Sequence, residues 1–168
     1  CMKASCAFCH LHTLAVAVAL GKVQEDLAVG ALCIQSSEVS SPLATAFGER
    51  RAAGTIHFWW LGQAGFAIRY EDTLLLIDPY LSDSLAEKYR DGELKHLRMM
   101  PIPVAPAAIS GCNWVLCTHG HTDHMDAPTI RDLQVESSPN FVVPRAEAQR
   151  ARDRGVPFAQ MYTINAGE

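Results

Sequence analysis

A chain of 168 residues has the length of one domain. Its 14 Lys and Arg against 18 Asp and Glu leave a net charge of −4, which excludes the strongly basic face that nucleic acid requires. Hydrophobic residues make up 49% and charged ones 19%, a globular composition. No apolar run approaches the ~20 residues that cross a bilayer, so no membrane span is expected.

The first part of the chain carries few structural signals. Leu14–Leu20 is an apolar run behind Lys3 that faintly resembles a signal peptide, yet no cleavage signal precedes Gln24-Glu25-Asp26. A helix of mixed pattern through Leu14–Leu32 is the plainer reading, followed by a linker at Ser36–Pro42. Cys6-Ala7-Phe8-Cys9-His10 matches the pattern of covalent haem attachment. With His12 it also offers four zinc ligands, but four ligands within seven residues strain tetrahedral geometry. A small haem or redox protein built on Cys6, Cys9 and His10 is therefore one alternative reading, and a chance match is the favoured one. The six cysteines form no regular disulfide framework, so a cytoplasmic location is expected. Cys112 and Cys117 read as small buried hydrophobes.

From Gly54 the pattern becomes regular. Thr55–Leu61 is rich in β-formers and aromatic residues and predicts a strand. Gly62 and Gly65 bracket a tight turn. Phe66–Tyr70 and Thr73–Asp78, separated by Glu71-Asp72, predict a hairpin. Residues 79–103 read as a long loop with a short helix near Leu85–Tyr89. Trp114–Thr118 predicts a buried strand. Ala127–Leu133 reads as a helix with Pro128 in its first turn, Phe141–Val143 as a strand, Arg145–Arg154 as a helix ended by Gly155, and Gln160–Ile164 as a last strand.

The chemistry concentrates behind the strand at Trp114. His119, His121, Asp123 and His124 place three imidazoles and a carboxylate within six residues. Residues two apart in an extended segment point the same way, so His119 and His121 can grip one ion together. Asp123 and His124 follow after the chain turns and aim elsewhere, toward a second ion. Three clustered imidazoles repel one another when protonated, whereas a bound metal holds them neutral.

His119-x-His121-x-Asp123-His124 resembles the signature of the metallo-β-lactamase fold. Trp60–Phe66, Ile77–Asp83 and Pro101–Pro106 occur in the order found in the branch related to L-ascorbate-6-phosphate lactonase. The resemblance runs from about Gly54 to the end of the chain. It implies an α/β fold, the αββα sandwich, represented here by its N-terminal half at residues 53–168 behind an extension at 1–52. It implies a metal-dependent hydrolase, lactonase- or phosphoesterase-like, that uses a metal-activated water. Two divalent ions, manganese or zinc, are implied in an intact enzyme. Asp123 is then both a ligand and the catalytic carboxylate that orients the nucleophile or carries its proton.

Further roles follow from the same resemblance. Asp78 braces the histidine loop through hydrogen bonds, or merely caps a strand end. Gly62 and Gln63 touch substrate, or form a plain turn. Independently of the resemblance, Lys95 and Arg98 lie in the long loop, where they meet an anionic small-molecule substrate or are solvated on the surface. The second half of such proteins supplies another histidine, a bridging aspartate and a final histidine. Neither His57 nor His96 stands where those ligands belong. The 168-residue chain is therefore expected to be inactive alone, as an incomplete hydrolase or as a non-catalytic truncated remnant that binds metal weakly. Without its second half, an apolar sheet face with Phe58, Trp60, Phe66 and Ile68 is expected to drive self-association.

Overall fold

In a computed structural model of the chain, residues 43–49 and 52–168 are described. The chain divides into two compact units, Cys1–Glu38 and Val39–Glu168, and every described residue belongs to the second. The helix expected over Leu14–Leu32, the linker before Pro42 and the Cys6–His12 cluster lie outside the described residues.

The second unit is a mixed sheet of six strands in sequential order. These are β1 (Ile56–Gly62), β2 (Gly65–Tyr70), β3 (Thr73–Ile77), β4 (Cys112–Leu116), β5 (Asn140–Pro144) and β6 (Met161–Ile164). β1 pairs antiparallel with β2 and β2 with β3, whereas β3 through β6 run parallel. Antiparallel neighbours need only tight turns, here Gly62–Gly65 and Glu71-Asp72. Parallel neighbours need crossovers. The long segment 78–111, with the short helix α2 (Ser84–Lys88), links β3 to β4. Helix α3 (Ala127–Glu136) links β4 to β5, and α4 (Ala148–Asp153) links β5 to β6. Arg145–Glu147, expected to open that last helix, instead forms a separate 3-10 turn.

Helix α3 starts where its capping chemistry dictates. The Asp126 carboxylate accepts from the Thr129 amide at 3.2 Å, and Pro128 occupies the first turn, where its missing N–H costs nothing. Thr129 in turn accepts from the Leu81 amide at 3.0 Å, and Ser84 donates to Asp126 at 2.6 Å. The start of α3 is thereby tied to the loop that follows β3. Gly155, at φ +103°, ends α4 as expected of a C-terminal glycine.

The core lies on one face of the sheet. Leu61, Ala67, Leu74, Leu76, Val115, Phe141 and Val143 point into it, and Ile130 and Leu133 of α3 and Ala151 of α4 cover them. A further helix, α1 (Leu43–Gly48), contributes Phe47, fully buried with its ring edge-on to Trp59 at 5.1 Å. Arg69 also donates to the Phe47 carbonyl. The core thus takes an aromatic plug from a segment without a recognisable motif.

The opposite face is also apolar. Register places Phe58 opposite Ile68 and Trp60 opposite Phe66, and the row continues through Leu75, Ile77, Trp114, Leu116 and Val142 to Tyr162. No described residue buries this face: Phe58 is 44% exposed, Trp60 55% and Tyr162 51%. Strands that are apolar on both sides belong to sheets covered on both sides.

Candidate metal centre

The candidate residues gather at one edge of the sheet. The chain leaves β3 at Asp78 and β4 at Thr118, and these two strands are parallel neighbours, so their carboxyl ends lie side by side. Such an edge is the usual ligand crevice of an open α/β sheet. The β1–β2 turn opens onto the same edge. A Cβ built on Gly65 would come within 3.1 Å of the Asp78 carbonyl, so a glycine is needed where that turn passes Asp78.

Asp78 is the hinge of the arrangement. It is 3% exposed and takes φ +43°, a conformation uncommon for a residue with a side chain but tolerated by Asp. Its amide donates to the Leu116 carbonyl at 2.8 Å, continuing the β3–β4 ladder by one bond. Its carboxylate accepts from the Thr118 amide at 2.7 Å and from the Thr118 hydroxyl at 2.6 Å. The same carboxylate lies 2.8 Å from Nδ1 of His124. A hydrogen bond at Nδ1 fixes the proton there and leaves Nε2 with its lone pair.

The three imidazoles meet. The ring of His119 stands 4.5 Å from that of His121 and 3.9 Å from that of His124, centroid to centroid. Nε2 of His124 lies 3.7 Å from the Asp123 carboxylate. All four residues named from the sequence therefore sit together, with Asp78 behind them. The rings of His119 and His121 also bond each other, Nε2 to Nδ1 at 2.9 Å, which engages one lone pair. Among the described residues, no three His, Cys, Asp or Glu side chains are arranged to hold one ion. The donor types, imidazole nitrogens with carboxylate oxygens, are those that suit a borderline or hard divalent cation.

The turn of Gly62 and Gln63 lies at the same edge of the sheet. Gln63, at φ +49°, accepts through its carbonyl from the Trp60 indole at 2.9 Å. Arg98 reaches the Gln63 side-chain oxygen at 3.5 Å and makes shorter bonds to the long loop. It donates to the Tyr80 carbonyl at 2.7 Å and to the Met100 carbonyl at 3.3 Å, and its guanidinium stacks over the Tyr80 ring. Arg98 thus staples the long loop back onto the strand end. Lys95 is exposed in that loop. His57 stacks on Trp59 in the first strand and His96 on Tyr89 in the long loop.

Two arginines were invisible as site residues in the sequence. Arg154 donates to the carbonyls of His121 (3.1 Å) and Met125 (2.7 Å). Arg150 pairs with Glu147 at 2.6 Å and reaches the Gly120 carbonyl at 3.4 Å. Their spacing of four residues was the available signal, since it puts both on one helix face.

Cys117 lies directly under the loop, 3% exposed. Burial, with the Asp78 charge adding to it, pushes its thiol up to about 12, and burial does the same for Cys112. Both stay protonated at neutral pH, and the thiolate is the form that binds metal or reacts. Peptide mapping after iodoacetamide treatment is expected to find both unmodified in the native protein and both alkylated in denaturant. Ready alkylation of native Cys117 would contradict this burial.

A model of the beta-lactamase superfamily domain matches residues 73–166, more than half of the chain. The chain belongs to the beta-lactamase superfamily. Among curated proteins, it is 40% identical over 65 residues to a UPF0173 metal-dependent hydrolase of Cereibacter sphaeroides, covering 39% of this chain and 23% of that protein. It is 29% identical over 124 residues to an uncharacterised protein of Mycobacterium tuberculosis, covering 74% of this chain and 32% of that one. A possible metal-dependent hydrolase from Veillonella parvula aligns with a TM-score of 0.47 at 22% identity, over 65% of this chain and 41% of that chain. This superfamily member thus spans 23–32% of the length of these curated relatives. Among its described residues, no helix is long and apolar enough to cross a membrane.

Proposed function

We propose that this chain carries the first part of the metal centre of a metal-dependent hydrolase, with His119, His121, Asp123 and His124 as its ligands. The observation that supports this most is the Asp78–Thr118–His124 bond set. It spends a buried carboxylate on orienting one imidazole of a cluster, which is the arrangement that tunes a metal-binding histidine. A divalent metal held there supplies Lewis acidity and lowers the pKa of water. The residues do the rest. Asp78 keeps the proton of His124 on Nδ1. Asp123, beside Nε2 of His124, offers a carboxylate to orient a nucleophile or take its proton. Gly62 and Gln63 form the neighbouring wall against which a small substrate would lie.

The name of the Cereibacter relative supports hydrolysis. A lactone or a phosphoester is the substrate class this reading favours, with manganese or zinc as the ion and two ions in the complete site. The test is metal content after dialysis against trace divalent metal. The intact chain is expected to retain metal, and the His119→Ala, His121→Ala double variant to lose it. Cys6→Ala, Cys9→Ala is the control for binding near the N-terminus. Equal metal in the intact chain and the double histidine variant would overturn the assignment.

A further inference from the structure

The ligand loop between His119 and His124 is short of backbone partners. His121 to Met125 forms a single helical turn, in which the His121 carbonyl accepts from the amides of His124 (3.3 Å) and Met125 (3.0 Å). One isolated turn fixes several dihedrals for few bonds and does not persist unaided. Its carbonyl end needs donors from elsewhere.

Those donors come from the crossover between β5 and β6. Arg154, the residue capping α4, is half-buried and places one guanidinium nitrogen between the carbonyls of His121 and Met125. One nitrogen thus binds both ends of the turn that carries Asp123 and His124. Burial, and after it the neighbouring Arg150, pull the Arg154 guanidinium below its ordinary value, so the protein places this cation at a desolvation cost. Two carbonyls and the negative end of a helical turn offset that cost.

Gly120 provides a second, steric link. A Cβ on Gly120 would fall onto the Glu147 carboxylate and the Arg150 guanidinium. The ends of the Glu147 and Arg150 side chains thus lie against the backbone midway between His119 and His121.

We infer that Arg154, seconded by the Glu147–Arg150 pair, is a positioning residue of the metal centre. It acts through the backbone, holding the His121–Met125 turn so that the ligands stand ready before metal arrives. The affinity of the loop for a divalent cation then depends on a helix that supplies no ligand. This inference rests on the ligand assignment proposed above, but its structural half can be tested without metal.

The experiment compares Arg154→Ala, Arg154→Lys and Gly120→Ala with the intact chain. Arg152→Ala is the control, because Arg152 is exposed on the same helix and bonds only Gln149. Two readouts are taken: cobalt(II) titration by visible absorption, and amide hydrogen exchange. Losing an outer partner of a metal site lowers affinity ~10–100-fold. Arg154→Ala is expected to show a loss of that size, Gly120→Ala a smaller one because the ends of the Glu147 and Arg150 side chains can move aside, Arg154→Lys a partial recovery, and Arg152→Ala none. Exchange at the His124 and Met125 amides is expected to rise in Arg154→Ala, while Val115 and Phe141 in the sheet keep their protection.

Intact cobalt affinity together with unchanged exchange at His124 and Met125 would overturn the inference. So would equal loosening of loop and sheet, which would make Arg154 a general stabiliser. If the intact chain takes up no cobalt, the ligand assignment falls. Bracing of the turn then stands or falls on exchange at those two amides alone.

Discussion

Asp78→Asn is expected to leave the fold intact and lower divalent-cation affinity ~10–100-fold, whereas Asp78→Ala should also lose ~2–4 kcal/mol of stability. The difference follows from three hydrogen bonds. The Thr118 amide is a fixed donor to the Asp78 carboxylate, so it holds the oxygen of an Asn side chain in the same place. The Asn nitrogen then faces the Thr118 hydroxyl, which can rotate to accept, and Nδ1 of His124, which must also accept. The imidazole answers by moving its proton to Nε2, and the lone pair needed for metal is gone. Asn also tolerates the positive φ of this position. Alanine tolerates it less well and leaves all three donors without their acceptor. Each buried unsatisfied group costs ~1–3 kcal/mol, and the lower end applies to all three here because Thr118 is exposed and His124 partly so. Against the ~5–15 kcal/mol that stabilises a domain, this is a large fraction. Urea melts and cobalt titration separate the two effects. Undiminished affinity in Asp78→Asn would show that the carboxylate does not set the state of His124.

The purified 168-residue chain is expected to self-associate through the uncovered face of its sheet. Fully burying one large apolar side chain is worth ~1.5–3 kcal/mol. At least four such side chains, Phe58, Trp60, Tyr162 and Ile164, stand more than 40% exposed on that face. Phe66, Ile68 and Trp114 between them are only half-buried. A contiguous apolar surface on this scale exceeds what monomeric proteins leave in water. Light scattering should show dimers or larger species, and Phe58→Lys with Trp60→Lys should shift them toward monomer. Both sites face away from the core, so the double variant has no reason to unfold. A monodisperse monomer of the unmodified chain, with a sharp thermal melt, would mean that this face is satisfied within the chain.

The local patterns were legible in the sequence because they rest on near neighbours. Alternating apolar residues with a two-residue turn made the β2–β3 hairpin readable. Pro128 marked the start of α3 and Gly155 the end of α4. The crowding of His119, His121, Asp123 and His124 behind an apolar strand pointed to a metal, since imidazoles that close need a reason to stay neutral. The match to the superfamily domain agrees with the fold expected from that motif.

What tertiary structure decided involves pairs far apart in the chain. Asp78 and His124 are separated by 46 residues, and only the parallel pairing of β3 with β4 makes them neighbours. Sequence left Asp78 balanced between a strand cap and a brace; in the fold its carboxylate bonds Thr118 and His124. Phe47 carries no motif, yet the core closes over it because an aromatic ring fills the space beside Trp59. Arg150 and Arg154 read as surface charge on a short helix. Their bonds to the carbonyls of Gly120, His121 and Met125 exist only where the crossover from β5 to β6 lays that helix against the loop. Spacing alone can show which side chains share a strand or a turn. Which distant carboxylate or guanidinium completes their hydrogen bonds is settled by strand order, because that order sets which chain ends meet at one edge of the sheet.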